Sequence, residues 1–254
     1  MKYAFAIVAA AGLAAAAQAQ STRLVFEASN DAGATWTSNL VAAPGQSIQV
    51  RVRAEYIQGA GGTQMGLAGL TFQPTVSNWG AGDTAAALSD NGAGVAAASS
   101  EFGRILPFAA AGQGSGSASG VLSSFVDGGN TLRFAGSKNT TSTTYIACCV
   151  AFCEVPQCLS IPPESYSNSS TPLIFRFGFT LGSDTTPRDL VASVPLSSIL
   201  ATRGRWYTSA LGQSLNAAIT ESDIIPATIS IPVPAPASLA LLGLGGLVAG
   251  RRRR

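Results

Sequence analysis

The chain has 254 residues and no histidine, which excludes Ser-His-Asp and Cys-His nucleophile systems, histidine general bases and most catalytic zinc sites. Its formal charge of +2 comes from the ends: Lys2, Arg251, Arg252, Arg253 and Arg254 are five of the 15 basic residues, and no acid lies in either end segment. The body therefore keeps 10 basic groups against 13 acidic ones, a net of −3, and offers no clustered basic footprint for nucleic acid.

Residues 1–19, MKYAFAIVAAAGLAAAAQA, have the three parts of a secretory signal. Lys2 gives the positive start, Phe5 to Ala17 the apolar run, and Ala17-Gln18-Ala19 the small-x-small cleavage pattern, so the mature chain is expected to begin at Gln20. The body, residues 20–231, has the length of one substantial β-domain. Only 11% of the chain is charged, which suits an exported protein rich in turns.

Thr22 to Ser29 alternates in part and predicts a first strand. The turn Ala43 to Gln46 then launches the clearest strand of the chain, SIQVRVRAEYI, Ser47 to Ile57. Ile48, Val50, Val52, Ala54 and Tyr56 share one face, and Gln49, Arg51, Arg53 and Glu55 the other. A strict period of two predicts an antiparallel strand with one face in the core and one in solvent. Gly66 to Pro74 is a further strand ending at a ladder-breaking proline. Gly82 to Asp90 reads as a short helix with Asp83 near its N-terminus.

Ala109 to Gly120 reads as a surface loop. GVLSSFVD and TLRFAGS, separated by Gly128 to Asn130, read as a hairpin. Pro172 to Leu181 stacks Phe175, Phe177 and Phe179 on one face, while Arg188 to Leu196 and Asp223 to Ile231 are the last strands. Many short strands with Gly- and Pro-rich turns predict an all-β, antiparallel sandwich.

The cysteines fall together as Cys148, Cys149, Cys153 and Cys158. In an exported chain they read as two disulfides, either 148–153 with 149–158 or 148–158 with 149–153, since an adjacent 148–149 ring would be strained. A four-thiolate zinc site is the alternative, although its usual CxxC knuckles are missing. No metal is expected, and no cofactor: GxGxxG after a strand, GxxxxGK[ST] and DxDxDG are all absent.

Catalysis would have to come from carboxylates, and a glycosidase needs two. Glu221 with Asp223, and Asp184 with Asp189, are near in sequence, but such pairs are common on exposed turns. Trp36, Trp79 and Trp206 could stack on sugar rings if exposed, although core packing is the commoner fate of tryptophan. No catalytic residue is assigned, and the chain is read as a non-enzyme. A surface carbohydrate-binding protein or carbohydrate-active enzyme is the opposing reading.

From Val233 to Gly250 runs an uncharged stretch of 18 residues. As a helix it would reach ~27 Å, enough for a bilayer core, although Gly243, Gly245 and Gly246 weaken its helix propensity. Arg251 to Arg254 would keep its end on the cytoplasmic side. The order Val233-Pro234-Ala235-Pro236, apolar run, terminal arginines resembles the PEP-CTERM sorting signal. Ala235 stands where that family most often has glutamate, and Pro-Ala-Pro resembles a recognised variant.

The resemblance implies handling by an exosortase-type membrane enzyme. It also implies export in a bacterium with an outer membrane, a cell-surface or extracellular-matrix destination, and association with exopolysaccharide. In the body, APGQSIQVRVRAEY followed by GLAGLTFQPTVSNW is similar to the opening of cohesin-like sandwiches. That likeness implies a jelly-roll or cohesin-like arrangement of strands.

Overall fold

In the computed structural model of the protein, which describes residues 20–58, 66–88, 102–104, 122–136, 171–207 and 214–232, the alternating segment Ser47–Ile57 is the spine of a sheet. The strands of the first half are β1 (Ser21–Ser29), β2 (Asn39–Val41), β3 (Ser47–Ile57), β4 (Gly66–Gly69), β5 (Thr75–Ser77), β6 (Thr84–Ala85) and β7 (Gly103–Arg104). After them come β8 (Leu122–Val126), β9 (Leu132–Gly136), β10 (Leu173–Thr180) and β11 (Arg188–Ser193). The last are β12 (Arg203–Tyr207), β13 (Ser214–Ala218), β14 (Ile224–Ile225) and β15 (Ala227–Ile231).

They form two sheets. The front sheet runs β4-β12-β13-β1-β3-β10-β6, with β14 also on β1 and β7 on β10; the back sheet runs β2-β15-β11-β5-β9-β8. β1 and β3 pair antiparallel from Ser21↔Ile57 to Ser29↔Gln49, and β10 lies antiparallel on the other side of β3. Their inward residues Leu24, Phe26, Val50, Val52, Phe175, Phe177 and Phe179 are buried. So are Val76, Phe134, Leu190, Ala192, Ile229 and Ile231 of the back sheet, in the same core.

Aromatic contacts join the layers. Phe134 of β9 meets Phe175 and Phe177 of β10 at centroid distances of 5.9 and 4.5 Å. Trp79, following β5, sits edge-on to Phe179 at 5.3 Å. Burying each such ring stabilises the fold by about 1.5–3 kcal/mol.

Two prolines mark where the chain changes sheet. Pro74 separates β4 in the front sheet from β5 in the back, and Pro226 separates β14 in the front from β15 in the back. A residue without an N–H fits where a ladder has to stop. The strand expected to end at Pro74 does stop before it, at Gly69, whereas the single strand expected from Asp223 to Ile231 is two, one per sheet.

Three further expectations are corrected. The sandwich is all-β but not wholly antiparallel: β13 and β14 run parallel to β1, and β2 parallel to β15. The C-terminal segment returns alongside β1 in the same direction, and one path feeds both sheets. The helix expected from Gly82 does not form over residues 82–88, where Thr84–Ala85 pairs with β10 instead.

Asp83 explains that change. Its carboxylate, fully buried, takes Arg188 Nη2 at 2.8 and 3.0 Å and the backbone N–H groups of Gly80 and Gly182 at 2.8 Å each. It is thus spent on distant partners rather than on a helix start. Finally, β12 and β13 were not foreseen. β12 carries Gly204, where a Cβ would stand 2.4 Å from Thr22 Oγ1, so the glycine answers to packing rather than to strand propensity.

Among the described residues no helix is long and apolar enough to cross a membrane. The expected C-terminal span, with Val233, Pro234, Ala235, Pro236 and Arg251 to Arg254, lies outside them, as do Ala17, Ala19, Cys148, Cys149, Cys153 and Cys158.

Candidate functional site

The carboxylates singled out by sequence are held by local bonds. Asp223 accepts from the Thr220 N–H at 2.9 Å, Thr220 Oγ1 at 2.6 Å and Ser21 Oγ at 3.1 Å. It closes the short turn Glu221–Asp223 between β13 and β14, and its neighbour Glu221 is exposed. Asp184 accepts from the Thr186 N–H at 2.8 Å and from Arg188 Nη1 at 3.2 Å. Hydrogen bonds from Thr186, then the Arg188 charge, hold its carboxyl below the usual range despite some desolvation. Asp189 is exposed.

The tryptophans divide. Trp79 and Trp206 are buried. Trp206 donates from Nε1 to Thr22 Oγ1 at 2.8 Å, and Thr22 donates onward to the Ala217 carbonyl at 3.2 Å. Trp36 alone is half-exposed, and it marks a face that sequence reasoning did not assemble.

That face is the outer side of β1, β3 and β10. Because side chains alternate along a strand, the residues that bury Leu24, Phe26, Val50 and Val52 inward turn Arg23, Glu27, Gln49, Arg51, Arg53, Glu55 and Arg176 outward. Register sets Glu27 opposite Arg51, Arg23 opposite Glu55, and Arg176 opposite Arg51. Glu27 Oε2 accepts from Arg51 Nε at 2.8 Å and Arg53 Nε at 3.0 Å. Glu55 pairs with Arg53 Nη1 at 3.3 Å and Arg23 Nη1 at 3.6 Å.

The Trp36 ring has the Arg51 guanidinium 4.6 Å and the Arg176 guanidinium 5.5 Å from its centroid, a cation–π arrangement. At Gly178, also outward on β10, a Cβ would come within 2.4 Å of the Phe102 ring; the glycine lets that ring lie against the sheet.

Trp36 with Glu27 and Glu55 resembles the equipment of a sugar site, and the electrostatics hold Glu27 as a carboxylate. Burial works to raise the Glu27 carboxyl, while the hydrogen bonds and charges of Arg51 and Arg53 outweigh it and hold the group below the usual glutamate range. A glycosidase needs one carboxyl raised enough to keep its proton. Glu27 is therefore held as a carboxylate and does not supply that proton. Among the described residues no group of three or more metal-ligating side chains gathers.

The last described strand of the body is β15, which lies between β2 and β11. Pro232 follows it, exposed. It borders an open apolar cleft of about 490 Å³ lined also by Val41, Ala43, Pro44 and Thr185.

Comparison with known proteins bears on both parts. Residues 232–254 match the family described as the PEP-CTERM protein-sorting motif. No curated protein sequence matches the chain. Among solved structures the chain is similar to the seventh ScaB type I cohesin of Pseudobacteroides cellulosolvens, with 9% identity over 85% of this chain and 95% of that one and a TM-score of 0.41. It is also similar to CaCohA2 of Clostridium acetobutylicum, with 11% identity over 86% of this chain and 95% of that one and a TM-score of 0.37.

Proposed function

We propose that the protein is an exported, non-enzymatic surface protein whose C-terminal segment is an address read by an exosortase-type membrane enzyme. Residues 1–19 direct export and are removed after Ala17-Gln18-Ala19, residues 20–231 form the working body, and residues 232–254 direct sorting. Val233, Pro234, Ala235 and Pro236 are the recognition motif. The apolar run that follows spans the membrane as a helix, and Arg251, Arg252, Arg253 and Arg254 set its orientation. The destination is the cell surface or extracellular matrix of a bacterium with an outer membrane. There the body acts by binding or structural association with exopolysaccharide. Two disulfides among Cys148, Cys149, Cys153 and Cys158 fit that compartment.

The match of residues 232–254 to a sorting motif carries this reading. The position of β15 supports it. The core residue Ile231 precedes the motif and Pro232 is already exposed, so a cut near Pro236 takes no described core residue away.

Mass spectrometry of the mature protein tests the proposal. The expected chain begins at Gln20 and ends near Pro236, and deleting Arg251–Arg254 leaves it unprocessed. An intact tetra-arginine end on surface protein would make the segment a permanent anchor, and normal delivery without the arginines would overturn the sorting role. A second reading, a surface carbohydrate-binding protein, is favoured by Trp36 and its arginines on the front sheet.

A further inference from the structure

We infer that the outer face of β1, β3 and β10 is a binding site for an acidic polysaccharide, a sugar polymer bearing carboxylates along its length. This deepens the surface role proposed above, and rests on it for where the polymer would be met.

The starting point is an apparent fault in the sheet. Arg176 stands directly opposite Arg51, and like charges in that position destabilise a strand pair. At this outward position Arg176 shares the Trp36 ring with Arg51, their guanidiniums standing 5.5 and 4.6 Å from its centroid. Among the described residues no carboxylate pairs with Arg176, and its Nε is shut from solvent without a hydrogen-bond partner. A repulsion held in place by rigid interior strands is what a preformed anion fork looks like.

The surrounding charges point the same way. Glu27 and Glu55 serve Arg23, Arg51 and Arg53, but the glutamate side chains are only 16% and 18% exposed, against 41%, 27% and 27% for those arginines. The acids lie beneath and the guanidiniums above. Four arginines over two glutamates leave +2 on this face, on a body whose net charge is −3. Guanidinium binds carboxylate in a bidentate fork. Trp36, half-exposed beside the fork, offers an apolar ring edge to sugar carbons.

Other polyanions fit less well. Peptide capture by strand addition needs a sheet edge, and β1, β3 and β10 are all interior. Insertion into a lipid surface needs exposed apolar side chains, and the large ones among the described residues, Val41, Phe125, Val126 and Leu200, are on other segments. Dense phosphates are repelled by Glu27 and Glu55, whereas sparse carboxylates among hydroxyls can use arginine donors and carboxylate acceptors together.

Affinity electrophoresis of the purified full chain tests this, with polygalacturonate, neutral dextran and single-stranded DNA as probes. Polygalacturonate should retard the protein in low salt, dextran should not, and DNA should do so less. Arg51→Gln with Arg176→Gln should weaken retention about tenfold, while Arg176→Gln alone, which keeps the Arg51–Glu27 bond and removes the repulsion, should unfold at or above the wild-type midpoint. Its retention falls in the same direction should the double variant fold poorly. Arg133→Gln, on the back sheet, should bind as wild type. Equal retention by dextran, stronger retention by DNA, or undiminished binding by both arginine variants would overturn the site. Failed processing at Pro236 with intact retention would overturn only the sorting proposal.

Discussion

Thr22 places one hydroxyl between two obligations, accepting the Trp206 indole N–H at 2.8 Å and donating to the Ala217 carbonyl at 3.2 Å. Three strands, β1, β12 and β13, meet at that oxygen. Thr22→Val keeps the shape and removes both bonds, leaving the buried Trp206 N–H unpaired. The expected loss is about 1–3 kcal/mol of unfolding free energy, read from the urea midpoint. Thr22→Ser, which keeps the oxygen, should lose less. A valine variant as stable as the wild type would show that the bonds contribute nothing. The same reasoning explains why Asp83 is tolerated inside the fold: a buried charge is costly unless paired, and Arg188 with two backbone N–H groups supplies the pairing.

Among the elements, β3 was legible because each of its positions obeys one rule, inward apolar and outward polar, from Ile48 to Tyr56. β10 was legible through Phe175, Phe177 and Phe179. β12 was not, because Gly204 weakens strand propensity and is required only by the nearness of Thr22. The outer face escaped for a related reason. Its residues were recognised as the polar side of strands, but Glu27 opposite Arg51, and Arg51 opposite Arg176, are facts of register, and register is long-range. Nor does local sequence say which of three tryptophans stays outside.

Pro74 was read as a breaker but Pro226 was read through, and neither was seen as the point of passage between sheets. Pro226→Ala should cost about 0.4–1 kcal/mol, chiefly by loosening the unfolded chain. Equilibrium unfolding checks this, and a larger loss would mean that Pro226 also holds the passage from β14 to β15 in place.

For the molecule as a whole, acid is the informative perturbation. Glu27, Asp31, Asp127 and Asp184 all have carboxyls held below their ordinary values. A carboxyl depressed in the folded state contributes stability that is present above its unfolded value, about 4 for these residue types. That stability is lost as pH falls through the lower folded value. The urea midpoint should therefore be flat near neutrality and fall below pH ~4. Glu27→Gln should make that fall shallower, and an unchanged slope would remove Glu27 from the account.

The passage of one segment from the front sheet to the back has a mechanical consequence. β15 ends where the sorting segment begins, and it is hydrogen-bonded to β11 on one side and β2 on the other. Tension on Pro232 along the strand would load both ladders in shear, many bonds at once, instead of peeling an edge bond by bond. Through β14, the same pull is shared with β1. A body held at its C-terminus against flowing water would thus be gripped by two ladders at once.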